Sequence, residues 1–292
     1  MIDSVAIIGF GEVGSILARD LRAAGIARIT AWDTAFADPS SKASANAAAA
    51  GITPSPSAPT AVQGADLVIS AVTAGSALDA ARFALGGLGH APFVLDVNSV
   101  SPGAKRETAE AVLAAGGRYV EAAVMASVPP KGLRTPILLG GPHAQAFLEA
   151  AAPLGMDLTV FSAEIGRASA VKMCRSVMVK GLEALTTESM LAARRYGVEE
   201  AVLASLKDTL PHPDWRALAR YVISRPLIHG KRRAEEMREV ARTVAEVGVT
   251  PILSAPIADR QDWSADIGKR LPKDLLAKSD LAELLDAIPR DE

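Results

Sequence analysis

The chain has 292 residues, of which 49% are hydrophobic, and its 31 basic and 33 acidic side chains leave a formal net charge of −2. This balance excludes the basic surface that nucleic acids or an anionic membrane require, so we expect neither as a partner. Cys174 is the single cysteine, which excludes an internal disulfide and a cysteine-based metal cluster. The opening segment lacks a basic signal-peptide region, and no apolar run reaches the roughly 18 residues of a membrane span, so we expect a cytoplasmic protein.

The first half of the chain alternates short apolar runs with segments of helical spacing. The apolar runs predict strands at Val5–Ile8, Ile29–Trp32, Leu67–Val72, Phe93–Val97, Tyr119–Glu121 and Ile137–Leu139. Helices are predicted at Glu12–Ala24, at Ser41–Ala50 and after Ser101, whereas the three prolines of Thr53–Pro59 predict a loop. Strands separated by helices predict a parallel sheet with helices on both faces, which is a doubly wound Rossmann-type domain.

The second half of the chain has no convincing strand after about Phe161. Helical spacing runs through Ala163–Arg195, Trp215–Val222 and Pro226–Val247. Because proline suits the first position of a helix, Pro226 predicts a helix start that would put His229 in the first turn. We therefore predict two domains, an α/β domain at residues 1–163 and an all-helical domain at residues 164–292.

A glycine-rich motif follows the first predicted strand and opens the first predicted helix. Such a turn exposes backbone amides to a diphosphate, so it predicts dinucleotide binding by Gly9, Phe10, Gly11, Glu12, Val13 and Gly14. Asp33 ends the second strand, nineteen residues after Gly14, where a carboxylate would accept hydrogen bonds from the ribose hydroxyls. It would repel the 2′-phosphate of NADP, and no arginine follows it closely, so we expect NAD as the cofactor.

Four further segments carry a resemblance to a known family. They are Asp96–Pro102, with sequence DVNSVSP, Val120–Ser127, with sequence VEAAVMAS, Ile137–Gly141, with sequence ILLGG, and Gly166–Lys172, with sequence GRASAVK. With the glycine motif, they resemble the β-hydroxyacid dehydrogenase superfamily, which includes 6-phosphogluconate dehydrogenases, 3-hydroxyisobutyrate dehydrogenases and imine reductases. The run RRAEEM at Arg232–Met237 resembles a branch with a phosphogluconate dehydrogenase-like C-terminal domain.

The resemblance implies a Rossmann domain, a long inter-domain helix, a helical domain that forms a homodimer, and an active site between the domains. It implies that Lys172 transfers a proton. The other site residues that it implies are Ser99 for the nicotinamide or substrate, Val72 and Thr73 near the nicotinamide ribose, Ser176 on the substrate oxygens, and Met125, Ala126 and Ser127 in the substrate loop.

The lysine and its helical neighbours carry the mechanistic prediction. Hydride transfer from an alcohol requires removal of the hydroxyl proton, which a desolvated lysine can accept. Lys172, Ser176 and Lys180 recur every four residues, so they share one helix face, and the charge of Lys180 would favour a neutral Lys172. The alternative is a solvated lysine stripe.

Three departures from the family pattern bear on the substrate. Ser176 replaces an asparagine, and the substrate loop has Met125, Ala126 and Ser127 where relatives have Ser-Gly-Gly. Met125 cannot hold a substrate carboxylate as the small polar groups of relatives do, so we expect a bulkier or less polar substrate. Glu235-Glu236 stands where many relatives have a Lys-Asp pair.

A charged cluster on the late helix leaves two interpretations open. His229 with Arg232 or Arg233 would bind an anionic group, or the cluster is an exposed face with ion pairs such as Arg232–Glu236. Under the first interpretation, His229 is a substrate residue.

The sequence thus predicts an oxidoreductase that transfers a hydride between NAD(P) and the hydroxyl or carbonyl carbon of a small molecule, a 3-hydroxy acid or related alcohol. Lys172 is its general acid/base, and no catalytic metal is expected. The alternatives are an imine reductase or reductive aminase, in which Asp or Tyr usually replaces the lysine, and a non-catalytic dinucleotide-binding protein.

Overall fold

The computed structural model describes residues 2–209, 212 and 214–289. The chain divides into two compact units, Met1–Met173 and Cys174–Glu292. The first is an α/β unit, and the described residues of the second form helices and their connections without a strand, which confirms the predicted fold class. The predicted domain boundary at residue 163 falls between the last strand and the first helix after it; the compact units divide ten residues later, inside that helix.

The first unit is built on one seven-stranded sheet with the order β2-β1-β3-β4-β5-β6-β7. Its strands are β1 (Ser4–Ile8), β2 (Arg28–Trp32), β3 (Leu67–Ser70), β4 (Phe93–Asp96), β5 (Arg118–Val124), β6 (Ile137–Gly140) and β7 (Leu158–Ser162). Five neighbouring pairs are parallel, but β6 pairs with β5 in the antiparallel sense. The sheet departs from the predicted parallel arrangement at this one pair, because the β5–β6 connection has no long helix to carry the chain back across the sheet.

Helices accompany the strands of the first unit and form the second. Those of the first unit are α1 (Glu12–Ala23), α2 (Lys42–Ala49), α3 (Ala58–Val62), α4 (Ala77–Ala84), α5 (Pro102–Ala114), α6 (Val128–Lys131) and α7 (Ala144–Ala151). The long helix α8 (Arg167–Tyr196) begins in the first unit and continues into the second. The others are α9 (Glu199–Thr209), α10 (Trp215–Glu246), α11 (Ser254–Gly268), α12 (Lys273–Lys278) and α13 (Leu281–Ala287).

One expectation about proline is wrong, and another fails only at the end of its range. Pro226 lies inside α10 and does not begin a helix, so His229 is in the middle of a 32-residue helix and not in a first turn. Proline removes one helical hydrogen bond, but Pro226 is buried, and packing within the bundle offsets that loss. Within the predicted loop Thr53–Pro59, Ser57 caps α3 and Pro59 occupies its first turn, where the missing N–H costs nothing.

The sheet buries an apolar layer on each face, as the doubly wound arrangement requires. Adjacent residues of β1 point to opposite sides, so Ile7 packs in one cluster and Ile8 in the other. The parallel strands bring the turns that follow β1, β2, β3, β4 and β5 to the same edge of the sheet. In doubly wound sheets, this carboxyl edge is where ligands bind.

Candidate active site

The glycine turn after β1 is shaped by close contacts that only glycine allows. Gly9 has a φ of 92°, and a Cβ at this position would lie 2.5 Å from the Ala71 carbonyl oxygen. A Cβ at Gly14 would overlap the Gly9 carbonyl oxygen, so Gly14 lets α1 pack against the turn. A Cβ at Gly11, by contrast, would have no described atom within 4 Å. Gly9 and Gly14 therefore serve the fold, while Gly11 faces open space.

Asp33 ties the end of β2 to the glycine turn. Its Oδ2 accepts a hydrogen bond from the Phe10 N–H at 2.7 Å, and its Oδ1 accepts one from the Ala35 N–H at 2.8 Å. The Phe10 side chain is fully buried and contacts Phe36. Phe10 thus contributes to packing, and its amide is directed to Asp33. These two hydrogen bonds fix the orientation of the Asp33 carboxylate at the carboxyl ends of the parallel strands.

The start of α1 has the features of an anion site. Gly11 is its N-cap and provides no side-chain hydrogen bond, while Glu12 in the first turn is exposed. Val13 is half-buried and packs against the core of the sheet. The Asn46 Nδ2 donates to the carbonyls of Phe10 and Gly11 at 3.2 and 3.3 Å, which holds the turn from the α2 side. Helix N-terminal amides favour negative charge in such a place.

Asn98 joins the turns that follow β3 and β4, and it is not among the residues that the sequence predicted for the site. Its Oδ1 accepts from the Val72 N–H at 2.8 Å, and its Nδ2 donates to Ser70 Oγ at 2.8 Å. The side chain is 4% exposed. Asn98 thereby fixes Val72 and the adjacent Thr73, two of the predicted cofactor residues. The sequence signal that could have identified it is an asparagine directly after a predicted buried strand.

Lys172 and Ser99 meet at the same edge. Lys172 lies in the second turn of α8, and its Nζ donates to Ser99 Oγ at 2.5 Å. Both residues are half-buried, so their side chains are neither fully buried in the core nor fully exposed to solvent. The structure therefore brings together the two predicted catalytic residues of the first unit.

The predicted substrate loop, which follows β5, also lies at this edge. The Met125 N–H donates to the Pro136 carbonyl at 2.9 Å, which closes the loop at its base. Met125 is half-buried, and Ala126 and Ser127 are exposed.

A buried charged cluster supports the loop that carries Ser99. The Lys105 Nζ lies 2.9 Å from Asp96 Oδ1, and the Tyr119 hydroxyl donates to Asp96 Oδ2 at 2.8 Å. All three side chains are fully buried. Burial, and secondarily the Asp96 carboxylate, raise the pKa of Tyr119 well above its ordinary value. The Asn98 N–H also donates to Asp96, at 3.0 Å, so the cluster anchors the start of the loop.

The helical unit contains a second buried charged network. Ser176 is 5% exposed, and its Oγ accepts a hydrogen bond from Lys180 Nζ at 3.1 Å. The Lys180 Nζ also lies 2.7 Å from Glu236 Oε2. Burial lowers the pKa of Lys180, and the Glu236 carboxylate opposes that change. Lys180 is thus ion-paired and is not the uncompensated charge that the helical spacing suggested.

The late-helix cluster has the ion pairs of the second interpretation, but it is not the exposed face that this interpretation predicted, because Arg233 and Glu236 are buried. Arg232 contacts Glu236, and Arg233 forms a buried two-pronged pair with Glu183. Arg233 is therefore not available to bind an anion without breaking a buried pair. His229 is half-buried in α10, and its role stays a prediction, as does that of Ser176.

These features fit a nicotinamide dinucleotide. Gly11 leaves open space at the start of α1, the helix has no side-chain cap there, and a fixed carboxylate stands at the end of β2. They define a dinucleotide-binding protein with a Rossmann-type first unit.

Comparison with known families supports that class and extends it. Residues 4–155 match the NAD binding domain of 6-phosphogluconate dehydrogenase, and residues 193–264 match a domain of unknown function, DUF1932. The chain belongs to the 6-phosphogluconate dehydrogenase-like family of NAD(P)-binding proteins, as the resemblance predicted.

Solved structures agree with this membership. A conserved hypothetical protein from Sinorhizobium meliloti 1021 is 36% identical, with 98% of this chain and 96% of that chain covered and a TM-score of 0.74. The conserved protein MTH1747, of unknown function and described as structurally similar to 3-hydroxyacid dehydrogenases, is 34% identical over 91% of this chain and 98% of its own, with a TM-score of 0.69. A Mycobacterium tuberculosis 3-hydroxyisobutyrate dehydrogenase shares the fold at 19% identity, with 98% of both chains covered and a TM-score of 0.67. Imine reductases share this fold as well.

The described residues contain neither a candidate membrane span nor a candidate metal centre. Among them, no helix has both the length and the apolar character needed to cross a membrane, and no group of three or more His, Cys, Asp or Glu side chains is arranged to hold a metal ion. The cytoplasmic location stays a prediction.

Proposed function

We propose that this protein is an NAD(P)-dependent oxidoreductase that interconverts an alcohol and a carbonyl compound, with Lys172 as general acid/base. The observation that carries the proposal is the 2.5 Å contact between Lys172 Nζ and Ser99 Oγ. It puts a titratable amine and a hydroxyl together at the edge of the sheet that carries the glycine turn. An acid/base group must lie within hydrogen-bond reach of the oxygen whose proton it transfers.

In this proposal, different residues of the first unit bind the dinucleotide and transfer the proton. The α1 amides near Gly11 would hold the diphosphate, and Asp33 the adenosine ribose. A bound nicotinamide would accept or donate the hydride. During alcohol oxidation, the neutral Lys172 amine takes the hydroxyl proton, and during reduction the ammonium returns it. Ser99 hydrogen-bonds the substrate oxygen or the Lys172 nitrogen, and so aligns the substrate hydroxyl with the Lys172 amine for proton transfer.

We propose NAD in preference to NADP. The Asp33 carboxylate is held in place by two backbone amides, so it cannot easily turn away from a 2′-phosphate. A fixed negative charge next to that phosphate costs binding free energy.

The substrate is a small molecule with a hydroxyl or carbonyl group, a 3-hydroxy acid or related alcohol. Met125 replaces a small polar residue of the family's loop and cannot donate to a carboxylate. The protein should therefore tolerate substrates with a bulkier or less polar group at that end.

We also propose a homodimer formed through the helical unit. Met178 and Leu185 lie seven residues apart on α8, which puts them on one face, and they are 75% and 70% exposed. Large apolar side chains exposed together mark association surfaces. Light scattering on the purified chain should give twice the mass of one chain, and a monomer at micromolar concentration would contradict this.

Turnover with a substrate panel tests the proposed activity. The purified full chain is mixed with NAD or NADP and with hydroxy acids, sugar acids and aromatic alcohols, and the absorbance of the reduced nicotinamide is followed. Alcohol oxidation supports the proposal. Reduction of cyclic imines without alcohol oxidation would favour an imine reductase. Dinucleotide binding by calorimetry without any turnover would favour a non-catalytic binding protein.

A further inference from the structure

A buried carboxylate on β5 contacts the start of the helix that carries Lys172. Glu121 is fully buried, in a strand whose neighbouring residues are apolar. Its Oε2 accepts a hydrogen bond from the Gly166 N–H, and its Oε1 accepts one from the Ser169 N–H, both at 2.6 Å. Gly166 immediately precedes α8, and Ser169 is in its first turn.

These two hydrogen bonds are charge-assisted, and they are short for bonds from an N–H to a carboxylate oxygen. A carboxylate at a helix N-terminus gains both charge-assisted hydrogen bonds and a favourable interaction with the helix dipole. Burial of a lone carboxylate is costly, so the site must supply these partners. The two oxygens bind two different amides at the start of α8, which fixes the helix start in two directions.

The neighbouring strand makes room for this carboxylate. A Cβ at Gly140 on β6 would overlap Glu121 Oε2. The absence of a side chain at Gly140 therefore allows the carboxylate to reach α8. Gly166 has a φ of 98°, a conformation that glycine adopts readily, and this directs its N–H toward Glu121.

We propose that Glu121 is a positioning residue that sets Lys172 against Ser99 by holding the first turn of α8. This inference rests on the proposed function. Lys172 is only three residues after Ser169, less than one helical turn, so a shift of the helix start moves the Lys172 amine directly. The two amides that Glu121 binds lie outside the glycine turn, so dinucleotide binding should not depend on it.

Two variants disturb the contact in different ways. Glu121→Gln keeps the size of the side chain, but its amide has one acceptor oxygen in place of two, so one amide at the start of α8 loses its partner. Gly140→Ala keeps the carboxylate but adds a Cβ that overlaps Glu121 Oε2, so this oxygen must shift from its position at the Gly166 N–H. Because the second variant buries no new polar group, it preserves the test if Glu121→Gln does not fold.

Matched controls exist for both changes. Glu164→Gln removes an exposed carboxylate three residues before α8, where it forms an ion pair with the exposed Arg167. Gly89→Ala adds a Cβ where no described atom lies within 4 Å.

The experiment combines three readouts. Hydrogen exchange by mass spectrometry follows residues 163–172, amine labelling with mass spectrometry follows Lys172, and steady-state kinetics separate kcat from the KM for the dinucleotide. We expect Glu121→Gln and Gly140→Ala to speed exchange and Lys172 labelling several-fold. The value of kcat should fall about tenfold to hundredfold at unchanged dinucleotide KM, since a displacement of about 1 Å can cost roughly 10²-fold. The controls should match the wild type.

Unchanged exchange or unchanged Lys172 labelling in both variants would overturn the proposal. Faster exchange with wild-type labelling and kcat would also overturn it, because Glu121 would then only cap the helix. A wild-type chain without turnover would contradict the proposed function, while the exchange and labelling results would still decide the role of Glu121.

Discussion

Lys172 Nζ and Ser99 Oγ are 2.5 Å apart although 73 residues separate them in the sequence. Ser99 is on the loop after β4, which Asn98 and the buried Asp96 hold in place. Lys172 is on α8, whose start Glu121 binds. The contact thus joins two segments that are each fixed by buried polar groups, and such support is what a preorganised catalytic pair requires.

In the glycine turn, substitution of one glycine should weaken dinucleotide binding, while substitution of another should lower the stability of the fold. Gly11→Ala should lower the free energy of unfolding by no more than about 1 kcal/mol, because no described atom lies within 4 Å of the added Cβ and only a glycine N-cap is lost, but it should weaken dinucleotide binding at least about tenfold by blocking the approach of the diphosphate. Gly14→Ala should instead lower the free energy of unfolding by about 1–3 kcal/mol or more, because the Cβ overlaps backbone. Calorimetry and thermal melts measure the two effects. Equal loss of stability in both variants would contradict this assignment.

The position of the Asp33 carboxylate predicts a preference for NAD over NADP. The wild type should bind NAD at least about tenfold more tightly than NADP, a difference of roughly 1.4 kcal/mol. Asp33→Ser should narrow that ratio by improving NADP binding, since it removes the negative charge at the end of β2. Titration calorimetry with both dinucleotides gives the ratio. Preference of the wild type for NADP would show that Asp33 does not face the ribose.

The buried pair below the Ser99 loop predicts a large stability effect. Lys105→Met should lower the free energy of unfolding by about 3–5 kcal/mol, because it leaves the Asp96 carboxylate buried without its ammonium partner. Lys42→Met, at an exposed lysine of the same unit, should change it by less than about 0.5 kcal/mol. Urea denaturation measures both, and similar losses would argue against a buried charged pair.

Tyr119 predicts how stability depends on alkaline pH. Burial and Asp96 raise the pKa of Tyr119 above its ordinary value of 10.0 in the folded protein. Above about pH 10, the unfolded chain therefore releases this proton while the folded protein keeps it, so the free energy of unfolding falls as pH rises. Tyr119→Phe should make that fall less steep, and Tyr196→Phe, at an exposed tyrosine, should not. Denaturation series between about pH 8 and 11 compare the slopes; identical slopes in wild type and Tyr119→Phe would contradict the burial of this proton.

Local sequence signals predicted the dinucleotide end of the fold well. Val5–Ile8, the glycine motif and the helix ended near Gly25 form the strand, turn and helix that were expected. Ser101 caps α5 with Pro102 at its start, as predicted. These features depend on residues within one or two turns of each other, which a sequence displays directly.

Features that depend on distant partners were not predicted. Glu121 is 45 residues from Gly166, and only its place in an apolar strand hinted that a buried partner exists. Pro226 has the local signature of a helix start, but packing of the bundle carries α10 through it. The pairing of Arg233 with Glu183 spans 50 residues, so the sequence left both a solvated face and an anion site open for this charged run.

The role of Lys172 is tested most directly by single-turnover kinetics of Lys172→Met with an alcohol that the wild type oxidises, together with calorimetry of dinucleotide binding. We predict that the dinucleotide Kd stays within about twofold of the wild type while the rate of the chemical step falls about 10²–10⁴-fold, the range for loss of a general acid/base. Lys269→Met, at an exposed lysine of α11's C-terminal end, should retain the wild-type rate. A Lys172→Met rate within about threefold of the wild type would contradict the proposed mechanism.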